Sequence, residues 1–135
     1  MTGFSPARHR VTNWTLRKDQ KVDGEHPIVQ VPDWNVNGMA MTSDVPHAVY
    51  ATSLPQVLRS VGYTTIHVGK AHFAAMETPC ANPLNCGFDY NIAGHAAGAP
   101  GSYYGAENFG NHADGNQKEP WGVPGLENYH GDDIN

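Results

Sequence analysis

The sequence predicts an α/β fold: part of a mixed sheet, with one clear helix–strand unit and long irregular loops. Three observations support this prediction. A helical pattern is followed, after one glycine, by a segment rich in β-branched residues, and shorter extended segments flank this unit. The 135 residues also include 15 glycines and 10 prolines. A compact domain usually contains fewer turn-forming residues, so we expect a small ordered core.

The helix in "SLPQVLRSVG" is the best-defined element. Ser53 is a typical N-cap residue, and Gln56 three positions later completes a capping-box pattern. Pro55 falls in the first turn, where its missing N–H costs no hydrogen bond. Gly62 provides the C′ position, so we expect the helix to end there. An apolar stripe with helical spacing is formed by Leu54, Val57, Leu58 and Val61.

Three segments have the composition of strands. "YTTIHV", from Tyr63 to Val68, follows the helix directly, and such a helix–strand pair is half of an α/β crossover unit. "HPIVQVP" predicts a short edge strand or extended piece near Ile28 to Val31, since prolines bound it. "CGFDYNIAG" predicts another strand from Phe88 to Ile92. The Gly- and Tyr-rich segment from Gly94 onward predicts an ordered loop.

Charge and hydropathy disfavour two classes of function. The net charge is −5, and "RKDQK" is the one basic cluster, so we expect no nonspecific binding of nucleic acid. No apolar run reaches 18 residues, so we expect no membrane span. The opening "MTGFSPARHR" lacks the apolar region of a signal peptide.

The two cysteines, Cys80 and Cys86, lie close together in "CANPLNC". Either one local disulfide or two free thiols fits this spacing. Zinc would need further ligands, and no CxxC or paired-histidine pattern supplies them. No activating pattern marks either thiol as a nucleophile. We therefore predict no metal ligands in this chain.

The segment "VGKAHF" is the best candidate site because it follows a predicted strand. Ligands in such sheets bind beyond the carboxyl ends of the strands. If the extended geometry continues, Lys70 and His72 lie on the same side. An ammonium group beside an imidazole suggests an anion-binding site. On spacing alone, a solvated lysine and an ordinary loop histidine remain open.

"LPQVLRSVGYTTIHVGKAHF", followed by "GFDYNIAG", resembles the sulfatase family of the alkaline phosphatase superfamily. Its members have a helix ending in G-Y-x-T, a strand, then G-K-x-H and G-F-D. The opening "MTGFSPARHRVTNW" resembles the stretch after the nucleophile motif C-x-P-S-R, and "GAPGSYYG" resembles the loop after G-F-D. The resemblance extends from Thr2 to about Ser102.

The resemblance implies a sulfuric ester hydrolase that uses calcium and a formylglycine made from cysteine. Lys70 would donate to a sulfate oxygen, and His72 would contact the sulfate or the nucleophile and transfer a proton. His95 in "AGHAAG" would bind substrate, since related loops reach toward the sulfated sugar or aryl group. The implied partner is a sulfated small molecule or glycan, with a carbohydrate favoured. Family members are often periplasmic or secreted, but the opening residues do not resemble a signal peptide, so we assign no localisation.

The chain departs from the family at two places. It contains neither the C-x-P-S-R motif nor the paired aspartates that hold calcium. We therefore expect residues 1–135 to be a fragment of a sulfatase catalytic domain that is inactive alone. A gene start misplaced at an internal methionine and a truncated gene product are both open as its origin. Exposed sheet edges then predict self-association. The alternatives are a small noncatalytic anion-binding domain and a fragment of a related phosphodiesterase or phosphonate hydrolase.

We predict structural roles for five further residues whose side chains could also serve in a site. His67 is predicted to be a core histidine within the strand. Asp132 and Asp133 are predicted to form a solvated acidic end instead of a metal pair. Arg8 and His9 are predicted to have surface or packing roles instead of anion contact.

Overall fold

In a computed structural model of the chain, the described residues are 1–11, 16–20, 28, 34–110 and 123–126. They contain both helices and strands, so the mixed α/β content agrees with the predicted class. Two parallel pairs of strands form within this part of the chain. The first joins β1 (Met39–Ala40) to β2 (Val49–Tyr50). The second joins β3 (Ile66–Val68) to β4 (Tyr90–Ile92).

The helical elements are short. The two α-helices are α1 (Pro6–His9) and α2 (Leu54–Ser60). The 3₁₀ segments of the described residues are Pro79–Ala81, Pro83–Cys86 and Gly105–Gly110. No helix in these ranges has the length and apolar character needed to cross a membrane.

Helix α2 begins and ends as its sequence predicts. The hydroxyl oxygen of Ser53 accepts a hydrogen bond from the Gln56 N–H at 3.3 Å, as an N-cap does. Gly62 adopts a left-handed conformation with φ of 92°. Its N–H and that of Tyr63 donate to carbonyls of the last turn at 3.0 and 3.1 Å. This is a Schellman motif, which confirms the predicted C′ role of Gly62.

Strand β3 is shorter than the predicted Tyr63–Val68 because nearby amides have other partners. The Tyr63 N–H donates to the Leu58 carbonyl at 3.1 Å to close α2. The Thr65 N–H donates to the Asp89 carboxylate at 2.8 Å. The ladder with β4 therefore begins only at Ile66.

The segment before β4 is a loop closed by a disulfide. The structure joins Cys80 to Cys86, which decides between the two alternatives left by the sequence. The buried Cys86 carbonyl accepts a hydrogen bond from the Ser53 hydroxyl at 2.5 Å, so this loop holds the start of α2. The Phe88 N–H donates to the Pro83 carbonyl at 3.4 Å. Because that amide closes a turn, β4 begins two residues later than the predicted strand.

The core lies around β1 and the disulfide, and the stripe of α2 faces outward. Met39, Ala74, Cys80 and Cys86 form the buried cluster. Parallel sheets are normally covered on both faces, yet apolar side chains of α2, β3 and β4 are exposed here. We call these residues the outer apolar face, and each of them is at least half exposed: Leu54, Val57, Val61, Ile66, Val68 and Tyr90.

His67 is a core residue, as predicted. It is 9% exposed, and its ring meets the rings of Phe73 and Phe88 edge-on with centroids 5.3 Å apart. Its Nδ1 lies 3.2 Å from Oδ1 of Asn91 on the neighbouring strand. The ring therefore packs under the β3–β4 pair.

Two predictions fall largely outside the described residues. Of the predicted strand Ile28–Val31, the structure describes Ile28 alone, at a bend. Asp132 and Asp133 lie outside the described part. The segment from Gly94 is an irregular loop through residue 110, apart from its short 3₁₀ segment, in agreement with the prediction.

Candidate functional site

The backbone after β3 does not continue in the extended geometry on which the same-side prediction depends. Gly69 has φ of 95° and His72 has φ of 52°, both in the left-handed region. The Gly69 N–H donates to the Ile92 carbonyl at 2.9 Å, and the His72 N–H donates to the His95 carbonyl at 3.0 Å. Hydrogen bonds to the end of β4 and to the loop after it therefore position residues 69–72. The alternating side-chain directions of an extended strand do not apply to them.

Lys70 and His72 nevertheless approach the same small space. A methyl group at Gly98 would lie 3.5 Å from Lys70 Nζ and 3.4 Å from His72 Nδ1. Both nitrogens thus border the space above the Gly98 backbone, which we call the Gly98 gap. The absence of a side chain at Gly98 keeps this gap open.

The two imidazoles near the gap have lowered pKa values. Burial lowers the pKa of His72, and the positive charge of Lys70 lowers it further. Burial also lowers the pKa of His95, with a smaller contribution from His72. Since an unperturbed histidine titrates near 6.5, both rings are neutral at pH 7. The Lys70 ammonium therefore provides the positive charge, and the rings provide polar N–H groups.

Lys70 and His95 line one cleft, which we call the Lys70 cleft. Its volume is about 300 Å³, and Gly98, Tyr103 and Phe109 also line it. His95 Nδ1 accepts a hydrogen bond from the Ala97 N–H at 3.0 Å. The neutral ring of His95 therefore carries its hydrogen on Nε2.

His72 lines a different cleft, which we call the His72 cleft. Its volume is about 200 Å³, and Met1, Thr2, His9 and Phe73 are among its lining residues. The structure thus brings Lys70 and His95 to one cleft and His72 to another. The Gly98 gap is where Lys70 and His72 meet.

Two residues contribute to these sites without a clear signal in the sequence, His9 and Gly98. His9 lines the His72 cleft, which is compatible with its predicted surface or packing role. The interpretation of Arg8 was sound, because its guanidinium lies 4.2 Å from the centroid of the Phe4 ring. Gly98 carried no signal beyond its place in a small-residue loop. Its importance depends on contacts with residues almost 30 positions earlier.

A polar cluster outside the clefts was also missed. Asp19 Oδ1 accepts a hydrogen bond from the buried Asn37 side chain at 2.9 Å and lies 3.2 Å from His47 Nδ1. The first of these hydrogen bonds is the main reason that the Asp19 pKa is lowered. The cluster joins residues 16–20 to residues 34–50 and contacts neither cleft.

The described residues do not fit the calcium ion that the family uses. Calcium takes six to eight oxygen ligands, and no carboxylate from the described part of the chain lines either cleft. Among the ranges that the structure describes, no three His, Cys, Asp or Glu side chains gather as a metal site. Cys80 and Cys86 are bonded to each other, so neither offers a thiolate nucleophile.

One ammonium and one imidazole nitrogen therefore border the Gly98 gap, and a second imidazole, that of His95, lines the Lys70 cleft. Comparison with known proteins gave no match: no protein-family model matches the chain, and no curated protein matches it significantly.

Proposed function

We propose that the chain is part of a sulfatase-type hydrolase, in which the Gly98 gap binds the sulfate group of an ester. One observation is central to this proposal. Lys70 Nζ and His72 Nδ1 would lie 3.5 and 3.4 Å from the same point, a methyl carbon at Gly98. An oxyanion in this gap would accept hydrogen bonds from the ammonium and from a ring N–H. Hydrogen bonds in which one partner is charged are shorter and stronger than neutral ones.

The position of the first residues gives a second line of support. The stretch that resembles the one after the nucleophile motif begins at Thr2, and Thr2 lines the same cleft as His72. In a sulfatase the nucleophile would therefore lie near this cleft. The parallel β3–β4 pair and the outer apolar face fit one piece of a larger mixed sheet.

The chain's own residues would contribute positioning and electrostatic stabilisation. Lys70 neutralises charge that develops on the sulfate oxygens, and losing one such contact costs about 3 kcal/mol. His72 is neutral at pH 7 because of its lowered pKa, so it donates to the anion and is able to accept a proton. In a complete enzyme, calcium and formylglycine would supply the Lewis acid and the nucleophile. The sequence lacks the motif that carries the formylglycine, and the described residues hold no group of ligands for calcium.

A noncatalytic anion-binding domain is the second candidate. The absence of carboxylates and free thiols from both clefts of the described residues favours it. Lysine and histidine donors also suit phosphate, so a fragment of a phosphodiesterase or phosphonate hydrolase is a further candidate. Both alternatives keep the anion in the same gap.

Sulfate binding by the full chain tests the site. Sodium sulfate is titrated at constant ionic strength, and the histidine ring signals are followed by NMR. We expect saturable shifts of His72 that Lys70→Ala abolishes. Lys18→Ala is the matched control, because Lys18 is an exposed lysine that lines neither cleft. Equal loss in both variants would refute a specific site.

The reading frame upstream of Met1 separates a sulfatase from a binding domain. We expect C-x-P-S-R in frame about eight codons before Met1, where the resemblance locates it. The chain extended to include that motif, with the cysteine converted to formylglycine, should hydrolyse sulfate esters. An immediate stop codon in that frame would leave the noncatalytic candidate.

A further inference from the structure

We propose that Asn91 is a positioning residue of the anion site: its side chain fixes the loop that holds His72 beside the Gly98 gap. The inference rests on the proposed function, because it takes the anion to bind in that gap. Asn91 is the middle residue of β4 and lines neither the Lys70 cleft nor the His72 cleft. Any effect of Asn91 on the anion therefore passes through other residues.

The side-chain amide of Asn91 bonds both backbone groups of Gly94. Its Nδ2 group donates to the Gly94 carbonyl at 2.8 Å, and its Oδ1 accepts from the Gly94 N–H at 3.1 Å. We call this pair of hydrogen bonds the Asn91 clamp. Asparagine side chains stabilise turns through such local bonds to the backbone. This turn needs the support, because Ala93 has φ of 69°, a left-handed conformation that is unfavourable for a residue with a side chain.

His67 holds the clamp from the other side. The two bonds to Gly94 determine which atom of the Asn91 amide is the oxygen, so His67 Nδ1, at 3.2 Å, donates to Oδ1. The His67 ring is buried against the rings of Phe73 and Phe88, so it cannot turn away from Asn91 without moving them. A methyl group at Gly94 would overlap both Asn91 Oδ1 and His67 Nδ1. The surroundings therefore allow the clamp one arrangement.

The clamp determines where the His95 carbonyl lies, because His95 follows directly after Gly94. This carbonyl accepts a hydrogen bond from the His72 N–H at 3.0 Å, and His72 has a left-handed φ of 52°. His95 Nδ1 accepts from the Ala97 N–H at 3.0 Å, and Gly98 is the next residue. The loop that the clamp fixes thus holds His72 and carries Gly98.

Lys70 depends on a different support. The Gly69 N–H, just before it, donates to the Ile92 carbonyl of the β3–β4 pair at 2.9 Å. Loss of the clamp should therefore displace His72 and leave Lys70 in place, so the anion loses one of its two donors. Asn91→Ala should accordingly weaken sulfate binding about tenfold, as removal of the His72 ring does.

The test is a double-mutant cycle on the full chain, with sodium sulfate as the probe. Sulfate affinity is measured by NMR through the Gly98 amide signal for the unchanged chain, Asn91→Ala, His72→Ala and the double variant. We expect the double variant to bind sulfate no more weakly than His72→Ala alone. Asn82→Ala is the matched control and should leave the affinity unchanged. Asn82 also bonds local backbone, accepting from the Leu84 N–H at 3.0 Å, and lines neither cleft.

Amide hydrogen exchange distinguishes positioning from a general structural role. In Asn91→Ala the His72 amide should exchange about tenfold faster, whereas the Gly69 amide should keep its rate. Asn91→Asp is a milder second variant, because it keeps both hydrogen bonds that Oδ1 accepts and loses the one that Nδ2 donates. Its added charge is present with and without the His72 ring, so the cycle cancels the effect of that charge.

Each outcome has one meaning. An equal loss of affinity from Asn91→Ala with and without the His72 ring overturns the inference, and so does unchanged affinity. Equal acceleration of the His72 and Gly69 amides would assign Asn91 a general structural role and also overturn it. These outcomes leave the proposed function intact. Absence of sulfate binding by the unchanged chain overturns the proposed function, and the inference with it.

Discussion

Filling the Gly98 gap tests the anion site without removing any charge. In Gly98→Ala the new methyl group would lie 3.4 Å from His72 Nδ1 and 3.5 Å from Lys70 Nζ. These are ordinary van der Waals distances, so the neighbouring side chains need not move. A sulfate oxygen accepting from either nitrogen must come to about 2.7–3.2 Å from it. The methyl group occupies the space from which the oxygen would do so.

Affinity and stability should respond to this substitution in opposite directions. Losing one hydrogen bond to a charged group costs about 1.5–3 kcal/mol. Sulfate affinity should therefore fall by about ten- to hundredfold. The backbone of Gly98 lies outside the left-handed region, so alanine is not strained there. Such a glycine-to-alanine change stabilises a protein by about 0.4–1 kcal/mol through the unfolded chain.

The assay combines a sulfate titration, followed through the His72 ring signals, with urea unfolding of the same sample. Weaker sulfate binding with unchanged or increased stability is the expected result. Unchanged sulfate affinity would show that no anion occupies the gap. Weaker binding with a large loss of stability would mean that the alanine disturbs the fold, contrary to the geometry described. Lys70→Ala in parallel removes the charge and leaves the gap open.

Three further predictions concern stability and assembly. The pKa values of His72 and His95 are lower in the folded chain than in the unfolded chain, so the unfolded chain binds more protons below about pH 6.5. The unfolding free energy should therefore fall as pH drops from 7 to 5. Urea unfolding at both pH values checks this, and His72→Gln should reduce the fall; a pH-independent unfolding free energy would contradict it. Replacing Cys80 and Cys86 by serine should lower the unfolding free energy by about 2 kcal/mol, as loop-closure entropy predicts for so short a loop, whereas unchanged urea unfolding would argue against the bond. The outer apolar face should make the chain self-associate, so light scattering should give a mass that rises with concentration. Val57→Glu should lower that mass and Gln56→Glu, on the same helix, should not; a monomer at all concentrations would refute the prediction.

Local features of the fold were predictable from the sequence. Helix α2 has the predicted cap residues because Ser53 and Gly62 act on groups only a few positions away. The lengths of the strands were not predictable. Thr65 has good strand propensity, but its amide bonds the side chain of Asp89, 24 positions later. Such competition between partners leaves no pattern in a single sequence.

The candidate site, too, was predictable from the sequence only in part. The sequence predicts Lys70 and His72 on the same side of an extended segment, whereas in the structure they border one gap from a backbone that is not extended. Their approach depends on a bend at Gly69 and on Gly98, which lies in a separate loop. The apolar lining of the Lys70 cleft could not be predicted from the sequence either, because Leu126 contributes to it from a distant part of the chain. Contacts between remote segments decide which groups share a cleft.

The hydroxyl of Ser53 ties two elements into one cooperative unit. It is fully buried, accepts from the first turn of α2 and donates to the Cys86 carbonyl. Opening either the helix or the covalent ring leaves this oxygen with a missing partner in a dry environment. The helix and the ring should therefore exchange their amide hydrogens with solvent in a single event, although Ser53 and Cys86 lie 33 positions apart.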